Sequence, residues 1–90
     1  MRGHSDMIFA RRLRMFRWQA SLTQQHLAGQ MTAAGHHMAN RAISNIESGR
    51  RQVTIGEAVQ FAAALGIPVP ALVTDGPPDD LIEARAATWR

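Results

Sequence analysis

Cysteine, lysine and tyrosine are all missing from the chain. Without cysteine there is no disulfide and no thiolate metal site, and compartment cannot be read from redox chemistry. Long apolar runs are missing too; none approaches the roughly 20 residues that span a bilayer. The opening MRGHSDMIFARR has no long apolar core and no small-residue cleavage site, so it does not read as a signal peptide. The chain is therefore expected to be cytoplasmic. No Gly-rich phosphate loop is present, and no motif sets a Ser beside a His and an Asp. An enzyme is not expected, and neither a cofactor nor a metal. His36 and His37 are adjacent, diverge, and have no third ligand nearby in sequence.

What is present is one small domain's worth of chain. Ninety residues, 46% of them hydrophobic, suffice for one modest core and argue against disorder. All basic residues are arginine, and their distribution is lopsided. Residues 1–51 hold eight arginines against Asp6 and Glu47, a net +6. Residues 52–90 hold Arg85 and Arg90 against five acids, a net −3. A basic front half suits a polyanionic partner; a solvated surface accounts for the charge equally well.

The periodicity predicts helices throughout and no strand. Phe9, Leu13, Phe16 and Ala20 form one helical stripe, with Asp6 or Ser5 as cap, giving a first helix over about 6–19. Thr23 then caps a second helix over about 24–34, buried through Leu27, Ala28 and Met31, with Gly35 as its stop. After the turn GHHM a third helix covers about 40–47, stopped by Gly49. Thr54 caps a fourth, whose apolar face is Ile55, Ala58, Val59, Ala62 and Leu65 with Phe61 adding bulk, and Gly66 ends it. IPVPALV reads as a short fifth helix, because proline is tolerated in a first turn. The expected fold is all-α: five compact helices in residues 1–74, followed by a Pro-rich acidic linker and a short C-terminal helix or tail in residues 75–90.

The third helix is unusual. Ile43 and Ile46 point together, with Ala42 beside them, while Asn40, Arg41, Ser44, Asn45 and Ser48 occupy the opposite face. A helix face that merely meets water usually carries Glu and Lys pairs; this face carries short or forked hydrogen-bonding groups. Asn binds adenine and Arg binds guanine through two hydrogen bonds each. Upstream, the second helix begins with Gln24 and free backbone N–H groups, an end that suits phosphate. Downstream, Arg50 and Arg51 follow the closing glycine. A base-reading helix flanked by phosphate-binding groups is a helix-turn-helix layout.

In combination, RLRMFRWQASLTQQHLAGQM, AISNIESGRR and VTIGEAVQFAAALGIPVPALV resemble the XRE family, the lambda-repressor/Cro-like DNA-binding domains of bacteria. The resemblance spans about Phe9 to Val73. It implies that Asn40, Arg41, Ser44 and Asn45 face base edges in the major groove. Gln24, Ser48, Arg50 and Arg51 would lie near phosphates, and Arg17 would pair with Glu47 to hold the third helix against the first. One departure is the turn between the second and third helices, TAAGHHMAN, several residues longer than the family's. Ala39 falls at the cap of the third helix and is a poor one, so Asn40 either caps that helix or reads a base.

These readings make the chain a sequence-specific regulator of transcription, a repressor by expectation, acting as a homodimer on a palindromic duplex and nucleoid-associated. An antitoxin-like interaction module is the alternative; it binds a protein partner through Trp18 or the C-terminal tail and uses DNA for autoregulation. Non-specific binding by the arginines alone is the third. Arg11, Arg12 and Arg14 read as a solvated face.

Overall fold

The computed structural model describes residues 4–74, and the side chains from residue 6 onward. The expectations for Leu81, Ile82 and Trp89, and for a terminal helix, lie outside the described residues. Five helices follow in order: α1 (His4–Gln19), α2 (Gln24–Ala33), α3 (Asn40–Glu47), α4 (Ile55–Leu65) and α5 (Pro70–Val73). There is no strand among the described residues. Thus α1 begins before the expected Asp6. Asp6 instead lies in the first turn, where a carboxylate complements the helix dipole, and accepts a 3.0 Å hydrogen bond from Gln52 Nε2.

The caps follow from side-chain chemistry. Thr23 accepts from the His26 N–H. Thr54 and Glu57 satisfy each other's backbone N–H groups, at 3.1 and 2.9 Å, in a capping box. Ala39 stands at the cap of α3 with no side-chain bond, so Asn40 does not cap that helix and its amide remains exposed. Proline occupies the first position of α5.

Four helices end in one motif, in which two backbone N–H groups past the helix turn back onto its last carbonyls. The donor–acceptor pairs are Ser21–Trp18 and Leu22–Arg17 for α1, Gly35–Thr32 and His36–Met31 for α2, Gly49–Ile46 and Arg50–Asn45 for α3, and Gly66–Ala63 and Ile67–Ala62 for α4. The motif requires a left-handed residue. Three helices supply glycine, but α1 supplies Ser21, at φ 57°. A residue with a Cβ is strained there by about 1–2 kcal/mol, against about 0.5–1 kcal/mol of extra chain entropy lost by glycine. Ser21→Gly is therefore expected to raise stability by about 0.5–1 kcal/mol, read as a rise of several degrees in melting temperature. An unchanged or lower melting temperature would show that the Ser21 hydroxyl contributes as much as the strain removes.

The core gathers Phe9, Leu13 and Phe16 of α1, Leu27, Ala28 and Met31 of α2, Ile43 and Ile46 of α3, and Ala58, Phe61, Ala62 and Leu65 of α4. Phe9 and Phe61 meet edge to face, 6.0 Å between centroids. Three expectations fail. Ala20 lies exposed in the turn after α1. Ile55 and Val59 are 86% and 51% exposed. The buried face of α4 is rotated toward Phe61, because the bulkiest side chain claims the centre of the core. Arg12, expected in solvent, is buried along with Ile8 and Ala10. A single stripe does not describe α1, which packs against α3, α4 and α5 together.

The long α2–α3 turn is closed at its base. The Thr32 hydroxyl accepts from the Met38 N–H and donates to the Met38 carbonyl, both at 3.1 Å, and the Met38 side chain is buried. His36 is half-buried and lies against α4; a methyl group added at Gly56 would sit 3.5 Å from its Cε1. His37 is exposed.

Candidate DNA-binding surface

With Ile43 and Ile46 sunk in the core, the opposite face of α3 is forced outward. Asn40 and Arg41 are exposed, and Ser44 and Asn45 are half-buried. These four line one open groove with Gln24 of α2 and Arg50 of the following loop. The loop is fixed by α3 itself. The Arg50 and Arg51 N–H groups both donate to the Asn45 carbonyl, at 2.8 and 3.1 Å. Ser48 donates its hydroxyl to the same carbonyl at 3.1 Å. It lines an adjoining groove between α1 and α3.

The two arginines after Gly49 diverge. Arg50 is exposed in the groove lined by α3. Arg51 is ion-paired to Glu57 at 3.0 Å, tying the loop to the start of α4. Burial pushes the Glu57 carboxyl up. The Thr54 N–H, the Arg51 guanidinium and nearby His36 outweigh it and hold that carboxyl below its ordinary value. Of the eight DNA contacts expected from sequence, Arg51 is the one whose charge is already partnered within the domain.

Beneath the groove, Arg17 and Glu47 form a two-pronged pair, Nε to Oε2 at 2.6 Å and Nη2 to Oε1 at 2.9 Å. Both side chains are almost fully buried. Arg17 Nη1 also donates to the Leu22 carbonyl at 2.8 Å. Gln24 Nε2 donates to Glu47 Oε1 at 3.1 Å, a bond the sequence reading did not foresee. One carboxylate therefore joins α1, the start of α2 and the end of α3. Arg14, read from the sequence as part of a solvated face, is exposed, and its guanidinium lies 4.7 Å from the Trp18 ring centroid, a stack the sequence reading did not foresee. The i,i+4 spacing of the two residues on one helix was the available signal.

A family model described as a helix-turn-helix domain matches residues 8–74, well over half of the chain. The chain belongs to the helix-turn-helix family. In such domains the second helix of the motif is the DNA-reading one, and α3 stands at that place in the order of elements. The helix-turn-helix domain is thus a DNA-binding one. It is similar in fold to the crystal structure of a hypothetical transcription factor, NHTF, from Neisseria. The TM-score is 0.71 at 24% identity, covering 89% of this chain and 84% of that one. No curated protein matches. Among the described residues of this helix-turn-helix domain, no helix is long and apolar enough to cross a membrane, and no three metal-ligating side chains gather.

Proposed function

We propose that the chain is a sequence-specific transcriptional regulator of the XRE type, acting as a repressor on double-stranded DNA in the nucleoid-bearing cytoplasm. The observation that carries this reading is the single groove lined by Gln24, Asn40, Arg41, Ser44, Asn45 and Arg50. It combines side chains that recognise base edges with groups that suit phosphate at both ends. In the proposed complex α3 lies in the major groove. Arg41, Asn40, Ser44 and Asn45 meet base edges, and Gln24, Ser48 and Arg50 meet phosphates. Arg51 acts on the backbone only with the charge that Glu57 leaves it. One such helix reads few base pairs. A two-fold homodimer on a palindrome, with half-sites about 34–36 Å apart, supplies the remaining specificity.

The test is selection from a randomised duplex library at two salt concentrations, followed by two substitutions. Arg41→Ala is expected to relax base preference at one position, at about 1–3 kcal/mol. Arg50→Ala is expected to weaken all sequences alike and to lower the salt slope by about one unit. If no sequence is enriched, the reading fails. If both substitutions weaken binding uniformly, α3 does not read bases.

A further inference from the structure

We propose that the DNA-contacting surface continues past α3 onto α1, where Arg14 and Trp18 together grip the sugar–phosphate backbone. The inference rests on the function proposed above and extends it. Trp18 is 62% exposed, and the Arg14 guanidinium is stacked on its ring. An exposed indole pinned under an arginine is a preformed unit. The stack removes rotamer freedom from the arginine before any ligand arrives, so less is lost on binding.

The surroundings select the ligand. Arg14, Trp18 and Ser48 line a groove that shares Gln24 and Ser44 with the reading groove. A backbone that leaves α3 past Gln24 therefore runs onto the Arg14–Trp18 stack. The acid in this groove, Glu47, is neutralised by Arg17. Among the described residues Arg14 has no carboxylate partner, so the groove presents net positive charge. The guanidinium offers phosphate a forked set of donors. The indole offers one N–H and a flat apolar face that covers a deoxyribose. Neither contact reads a base, so the pair adds affinity without changing sequence preference.

Trp89→Phe leaves Trp18 as the single tryptophan of the full chain. With a duplex recovered from the library, its emission is expected to change in step with binding. In the same background, Arg14→Ala is expected to flatten the dependence of log Kd on log salt by about 0.9. Between 50 and 200 mM salt this is roughly a 3.5-fold smaller loss of affinity, with the preferred sequence unchanged. Arg14 is exposed and alanine favours helix, so Arg14→Ala is expected to leave the melting temperature unaltered in that background. Trp18 emission unmoved by DNA, or an Arg14→Ala slope equal to that of the unsubstituted chain, would overturn the inference while Arg50→Ala still reports on the reading groove. A Trp18→Ala chain that sediments as a smaller species with an unchanged salt slope would assign the ring to a second copy and equally overturn it. If the unsubstituted chain binds no duplex, the proposed function falls and takes this inference with it.

Discussion

Replacing Glu47 with alanine is expected to destabilise the domain by about 3–5 kcal/mol, the cost of removing one partner of a buried pair. The carboxylate accepts from Arg17 Nε, Arg17 Nη2 and Gln24 Nε2. Without it, the Arg17 guanidinium keeps only the Leu22 carbonyl and stays almost fully buried with its charge uncompensated. For a domain of this size each kcal/mol is about 4–8 °C in melting temperature, so a fall of more than 10 °C is expected. Arg17→Met combined with Glu47→Leu should recover much of the loss, because a buried ion pair and a well-packed apolar pair of similar volume are close in stability. Thermal unfolding of the two single variants and the double variant measures the coupling. A drop of less than 1 kcal/mol for Glu47→Ala would mean that water already reaches the pair.

Phe61→Ala is expected to cost about 3–5 kcal/mol, by lost transfer energy and by the cavity left behind. Phe61 is 0% exposed, and its ring holds the Phe9 edge contact between α4 and α1. A small domain has about 5–15 kcal/mol in total, so the variant retains little margin. In urea the midpoint should fall with the slope unchanged, the sign of a stability loss without altered compactness. A changed slope would mean that the native state itself had loosened. The neighbouring exposed positions give the contrast. Val59→Ala, on the same helix but half in solvent, should cost far less.

Most of the framework was legible because local chemistry decided it. Thr23, Thr54, Gly35, Gly49 and Gly66 mark helix ends by capping and by left-handed geometry, and α3 begins and ends where its sequence says. The polar face of α3 was readable for the same reason; two isoleucines leave one orientation for the rest. What periodicity could not fix was the rotation of a helix with apolar residues on several sides. In α4 the stripe through Ile55 and Val59 competes with the one through Phe61, and only packing against α1 and α2 decides between them. Nor could spacing reveal that Arg50 and Arg51, adjacent and identical, part company. That outcome depends on Glu57 arriving from the next helix. The groove continuing onto α1 was hidden likewise, since it joins residues 14 and 18 to residues 44 and 48.

The Thr32 bracket has a bearing on how such a domain changes over generations. One hydroxyl spans Met38 from both sides, and the side chain of Met38 is anchored in the core. The chain thus enters α3 from a fixed point. Within the turn, Gly35 and His36 are tied to the end of α2 and His36 lies against α4, which leaves exposed His37 as the position where an insertion is most easily absorbed. A substitution at Thr32 would open that bracket and make a change of length in the turn felt at the start of α3.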